Sequence, residues 1–217
     1  MSSAGLVKAF GTATNLGSES GHRLNAHMVA VVATPDGRGY WLVAADGGVF
    51  NFGDAHFYGS ATHLHLAAPV VGIVAAPGGR GYWIVAANGA VLNFGDAGSY
   101  GSAAHFHLAA PIVGLVATPD GRGYWLVAAD GGVFRFGDAH FYGSATGIHL
   151  SSPVVALVPD PAGTGYWLVT AEGQVVPFGS APKVTWKAIG QAVVGAFATS
   201  SALALITRSG ALSTYTT

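Results

Sequence analysis

The sequence predicts an all-β chain: a five-bladed β-propeller with four-stranded blades of about 42 residues, closed by N-terminal strands that complete the last blade. Three observations predict it. A motif recurs at a fixed 42-residue spacing, each unit is a series of short apolar runs broken by Gly-rich turns, and the two ends of the chain match complementary parts of one unit.

The period is read from Gly-Tyr-Trp, which occurs at Gly39-Tyr40-Trp41, Gly81-Tyr82-Trp83, Gly123-Tyr124-Trp125 and Gly165-Tyr166-Trp167. A Phe-Gly pair keeps step at Phe10-Gly11, Phe52-Gly53, Phe94-Gly95, Phe136-Gly137 and Phe178-Gly179. Between Val32–Thr62 and Val116–Thr146 only Asn51 and Arg135 differ. Self-similarity of this length marks a stack of supersecondary units, each too small to bury its own apolar surface.

One unit justifies the four strands. Val70–Ala75 is an apolar run, strand A, and Pro77-Gly78-Gly79-Arg80-Gly81 is a turn rich in residues that accept tight or positive φ. Tyr82–Ala86, strand B, is aromatic and β-branched. Asn88-Gly89 is a two-residue hairpin signal leading to strand C at Ala90–Phe94. Gly95-Asp96-Ala97 turns the chain into a short strand D, Ser99-Tyr100-Gly101. No segment carries a sustained helical period.

The ends predict closure. Leu6–Phe10 matches strand C and Asn15–Ser18 matches strand D, whereas Val193–Ala196, Leu203–Ile206 and Gly210–Tyr215 match strands A, B and C. Strands within residues 5–18 are therefore expected to pair with the C-terminal blade at 192–217, making residues 1–217 a single domain without open edges. A linear β-solenoid is the alternative, but it calls for capping ends. The fifth unit is degenerate, with Ala204 in the place of the Trp and a shortened length.

Composition narrows the function. Charged residues are 9% of the chain, against roughly a quarter in ordinary soluble domains. Hydrophobic residues reach 51%, so apolar side chains must be hidden on both faces of the sheets, yet no stretch suits a membrane span. A formal net charge of −1 gives no electrostatic case for nucleic acid or an anionic membrane. With no cysteine, neither disulfides nor thiolate metal sites contribute. Met1-Ser2-Ser3-Ala4 has no signal-peptide pattern, which fits either a cytosolic chain or a mature exported domain.

The string from Gly39 to Ser60, Gly-Tyr-Trp-Leu-Val-Ala-Ala-Asp-Gly-Gly-Val-Phe followed by Asn-Phe-Gly-Asp-Ala-His-Phe-Tyr-Gly-Ser, resembles a repeat common in exported actinobacterial proteins. There it stands beside cell-wall hydrolase, protease or glycosidase domains. The resemblance covers nearly the whole chain. It implies an extracellular or cell-wall location and an accessory role, and supplies no catalytic residues. The architecture is also similar to that of five-bladed propeller lectins, although fold alone does not fix function.

In an up-and-down blade the B–C hairpins and D–A crossings share one face of the disc, and the A–B and C–D turns share the other. On the first face the crossings carry His65, His107 and His149, with His63 and His105 in the same step. Arg23, Lys187 and Trp186 occupy the corresponding crossings elsewhere, and Asp46, Asn88, Asp130 and Glu172 lie in the hairpins. Imidazole beside carboxylate can hydrogen-bond sugar hydroxyls, and an indole can stack on a sugar ring. His63, His65, His105 and His107 also suit a divalent metal, because residues two apart on a strand face the same way. Inherited loop decoration explains the same series. On the second face Arg38, Arg80 and Arg122 recur beside Asp36 and Asp120, either as an anion-binding rim or as solvated turn residues. Tyr40, Trp41 and their repeats are expected in the core.

The carboxylates argue against catalysis. All but Glu19 fall in recurrent turns, where Asp caps backbone amides, and no unique pair stands out as a glycosidase requires. There is no nucleophile elbow, phosphate loop or His-Glu-X-X-His motif. The sequence thus points to a non-catalytic, monomeric module without a cofactor that binds a glycan or extracellular polymer at several equivalent sites. A scaffold without a small ligand is the second possibility. A hydrolase or lyase with one site near Glu19, His22, Arg23 and Trp186 is the third.

Overall fold

The computed structural model describes residues 1–9, 11–187 and 189–217. Phe10 of the first Phe-Gly pair and Ala188, next to Trp186-Lys187, lie outside the described residues. The described chain forms five three-stranded sheets and no helix. These are β1 (Met28–Ala33), β2 (Gly39–Ala44) and β3 (Val49–Gly53); β4 (Val70–Ala75), β5 (Gly81–Ala86) and β6 (Val91–Gly95); and β7 (Ile112–Ala117), β8 (Gly123–Ala128) and β9 (Val133–Gly137). The last two are β10 (Val154–Pro159), β11 (Gly165–Thr170) and β12 (Val175–Gly179), then β13 (Val193–Ala198), β14 (Ala202–Thr207) and β15 (Leu212–Thr216). Each sheet runs in chain order, with the Gly-Tyr-Trp strand in the middle of the first four and β14 in the middle of the fifth, and these central strands are buried on both faces, as their continuous apolar character requires.

The four-stranded blade is corrected to three strands. The segments expected as strand D make no ladder, because the following sheet satisfies their backbone instead. The Tyr82 hydroxyl accepts from the Tyr58 amide at 3.2 Å and donates to the Gly59 carbonyl. Tyr166 does the same for Tyr142 and Gly143. Gly59 is required at this crossing: its φ is +134°, and a Cβ there would strike the Phe94 ring. Residues 5–18 likewise form no strand among those described. Gly17 instead accepts the Tyr40 hydroxyl, and Val7 and Leu16 pack on Met28, Tyr40 and Leu42.

The contacts divide the chain into two compact units, Met1–Phe106 with Ala117–Gly123, and His107–Val116 with Tyr124–Thr217. Within the first, Trp41, Val43 and Val49 of β2 and β3 pack against Val70, Ile73, Tyr82 and Ile84 of β4 and β5. Within the second, Trp125, Val127 and Val133 pack against Val154, Leu157 and Tyr166, and Trp167, Val169 and Val175 pack against Val193, Leu203 and Leu205. Each sheet so described has a forward face, bearing the Trp, and a backward face, bearing the Tyr. The two residues are core on opposite faces, as the strand period of two dictates.

A bulge in the first strand adjusts that period. The register of β4 against β5 breaks between Val70 and Gly72, and the same break recurs in β1, β10 and β13. Residues three apart would ordinarily face opposite ways. The extra residue turns both Val70 and Ile73 toward the preceding sheet. Each Trp indole then pins its repeat by donating to the carbonyl 15 residues on: Trp41 to His56 at 2.7 Å, Trp83 to Gly98 at 2.7 Å, and Trp125 and Trp167 to His140 and Pro182 at 2.8 Å.

Candidate functional site

One candidate site is a cleft of about 670 Å³ in the first unit, where A–B and C–D turns of the first two repeats meet. Its polar walls are Asp36, Asp54, His56, Arg80 and Asp96, with Pro35 and the Tyr58 ring beside them. This volume lies within the range of small-ligand sites, roughly 300–1,000 Å³.

Local sequence builds both rims. In Thr34-Pro35-Asp36-Gly37-Arg38-Gly39 the buried Thr34 hydroxyl accepts from the Gly39 amide at 2.9 Å and donates to the Gly39 carbonyl at 3.1 Å. The Asp36 carboxylate accepts from the Arg38 amide at 3.2 Å. Thr34 therefore locks the turn from inside while Asp36 stands exposed at its tip. Across the cleft, Tyr58 reaches from one repeat to the next, its hydroxyl donating to the Gly79 carbonyl at 3.1 Å beside Arg80. The second unit repeats this tie as Tyr142 to Gly163 at 2.7 Å.

The Asp36 carboxyl is held below the usual carboxylate range, first by the Thr34 hydroxyl, then by the Arg38 amide, with lesser support from the Asp54 carboxyl and the Arg38 guanidinium. Asp36 is thus an anion at neutral pH, facing Arg80 across a cavity that also presents an imidazole and a phenol ring. Acceptors, donors and an aromatic side chain thus line one cleft.

By register, the 42-residue step replaces Asp36 and His56 with Gly78 and Gly98, and the next step replaces Arg80 and Asp96 with Thr164 and Ser180. The complete set of side chains occurs once in the sequence.

The first-face residues lie in the crossings to which the sequence assigns them. His63, His65, His105, His107, His149 and Arg23 are exposed. Residues 61–65 and 103–107 run through turns and bends, with Leu64 donating to Ala61 and Phe106 to Ala103, each at 2.9 Å. The same-face argument for chelation needed a strand, so it fails for these His-X-His pairs. Among the described residues no three His, Asp or Glu side chains gather as a metal site. Asp46 and Asp130 close their own hairpins, accepting from the amides of Gly48 at 3.0 Å and Gly132 at 2.9 Å. Trp186 is half-buried, packed on the cluster around Trp167 and Val193.

A smaller cavity of about 250 Å³ does bring together Glu19, His22, Arg23 and Asp46. Its Glu19 carboxylate lies 2.7 Å from the His22 ring nitrogen. Asp36, Asp54 and Asp96 lie in turns, as the sequence predicts. That A–B and C–D turns share a face is the sequence signal that joins Asp36, Asp54, His56, Arg80 and Asp96. No protein-family model and no curated protein matches this chain.

Proposed function

We propose that this protein is a non-catalytic binding module for a hydroxyl-rich ligand, a glycan of a cell wall or extracellular polymer, working outside the cell as an accessory to other activities. The observation that carries the proposal is the cleft that Asp36, Asp54, Arg80 and Asp96 line together with Tyr58. Carboxylates and a guanidinium set about a ring can bind several hydroxyls at once, and the rigid turns holding them limit the ordering cost of binding. The five sheets are the blades of a propeller-type repeat in this proposal.

The site differs from the one expected from sequence. It lies among the A–B and C–D turns, away from the histidine series, and its full chemistry occurs once. Binding is therefore expected at one site per chain, in place of several near-equal ones.

A glycan-array screen followed by calorimetric titration of the best ligand tests this directly. One site per chain is expected, with Arg80→Ala weakening affinity at least tenfold, or about 1.4 kcal/mol. Substituting His65 and His107 should leave affinity unchanged. Binding abolished by the histidine substitutions but untouched by Arg80→Ala would move the site back to the first face. A blank array would favour a scaffold without a small ligand.

A further inference from the structure

Four crossings between repeats are built on one turn, in which the fourth residue donates its amide to the carbonyl of the first. Leu64 donates to Ala61 and Phe106 to Ala103 at 2.9 Å, Ile148 to Ala145 at 2.8 Å, and His22 to Glu19 at 3.1 Å. In three of these turns the first residue is a fully buried Ala and the fourth an exposed apolar side chain. The crossing ahead of β1 holds a carboxylate and an imidazole at those positions. The Glu19 side chain is 15% exposed, and its Oε2 lies 2.7 Å from Nδ1 of His22. Because the same turn forms elsewhere with Ala and Leu, the backbone does not require the polar pair.

Glu19 and His22 line the cavity of about 250 Å³ together with Arg23 and Asp46. Leu24 and Phe50 supply apolar lining, and both pack on the cluster of Met28, Tyr40 and Leu42, which fixes that wall. The cavity shares no lining residue with the cleft at Asp36 and lies at the other end of the β1–β3 sheet, beside the β2–β3 hairpin. Charges of both signs line it. Arg23 enters no ion pair among the described residues, and a guanidinium matches a carboxylate with a planar fork of donors. Carboxylates in turn accept from an ammonium. A plain anion would meet the carboxylates of Glu19 and Asp46, and a plain cation would meet the guanidinium. A ligand carrying both charges balances each.

We propose that this cavity binds a small zwitterion, an α-amino acid with an apolar side chain. Arg23 takes the ligand's carboxylate, Asp46 and Glu19 take its ammonium, and Leu24 and Phe50 take its side chain. His22, bonded to Glu19, is a positioning residue that holds that carboxylate in place. The volume is below the roughly 300–1,000 Å³ of drug-sized sites, which keeps the ligand small. This site stands apart from the proposed glycan cleft, and neither depends on the other.

Calorimetric titration of the purified chain with L-leucine tests the proposal, with isocaproate and isoamylamine as analogues lacking the ammonium and the carboxylate. Saturable binding of L-leucine is expected, with each analogue weaker by at least about tenfold, as is L-leucine on Arg23→Ala. The double substitution Glu19→Ala with His22→Leu gives this crossing the residues of Ala61 and Leu64. It should fold with an unchanged or higher melting temperature and lose L-leucine affinity by at least about tenfold. Absence of saturable L-leucine binding overturns the proposal, and so does affinity unchanged in both variants. Isocaproate or isoamylamine binding as tightly as L-leucine overturns the zwitterion. If the double variant does not fold, Arg23→Ala, which alters an exposed side chain, decides alone.

Discussion

The sheets β10–β12 and β13–β15 are neighbours with the same strand order and the same bulge in the first strand, yet they are finished differently. In β11 the central pair is Tyr166-Trp167, and in β14 the same register holds Leu203-Ala204. Tyr166 fixes the crossing at Tyr142 and Gly143, and the Trp167 indole fixes Pro182. Leu203 and Ala204 have no polar atom on their side chains with which to do either. Val175 on β12 is buried, whereas Leu212 at the same register of β15 is 60% exposed. The comparison teaches that the strand ladder survives without the aromatic pair, while the bonds joining one repeat to its neighbour depend on it.

The largest test of that difference is Trp167→Ala, which gives β11 the residue β14 already has. We expect a loss of about 3–5 kcal/mol in denaturant unfolding, since the indole is fully buried. A loss below about 1 kcal/mol would mean the fourth sheet tolerates the change as well as the fifth, and the comparison would collapse.

Tyr166→Phe is the next in size. It removes one hydroxyl that accepts from two amides and donates to a carbonyl, and should cost about 1–3 kcal/mol. The same hydroxyl predicts an alkaline response. Burial raises the pKa of Tyr82 and Tyr166 above the ordinary phenol value, partly opposed by the bonds to their crossings. A raised folded-state value stabilises the fold below the unfolded value, near 10, and that contribution is lost as pH rises through the folded value. Melting temperature should therefore fall above about pH 10, and less steeply in Tyr166→Phe.

Smaller still is the contrast between Val175→Ala and Leu212→Ala at the same register. The first deletes buried methyl groups and should cost about 1.5 kcal/mol. The second trims an exposed side chain and should stay within about 0.5 kcal/mol. Equal costs would show that the forward face of β13–β15 is covered within the chain.

Much of the fold was legible because its determinants are local or periodic. The Gly-Tyr-Trp spacing located the central strands, Asn88-Gly89 and its counterparts located the hairpins, and alternation put Tyr and Trp on opposite faces. The fourth strand was misread because Ser99-Tyr100-Gly101 and its repeats have strand composition. Whether such a segment joins a ladder depends on where its amides find partners, and for Tyr58 and Tyr142 the partner is a phenol in the following repeat, 24 residues away. The histidine pairs failed for a related reason: their pairing assumed extended backbone, and Ala61 and Ala103 turn the chain there.

By itself the sequence determined the period, the strand order, the identity of the core aromatics and the turn residues, because each follows from spacing and local backbone preference. The tertiary structure alone decided which turns confront each other, and so that Asp36 and Asp54 share a cleft with Arg80 and Asp96 from the next repeat. It alone decided which copies of a repeated apolar face are covered. Register assigns Val175 and Leu212 to the same position of their sheets, and burial, which depends on what packs there, differs: the first is buried and the second exposed.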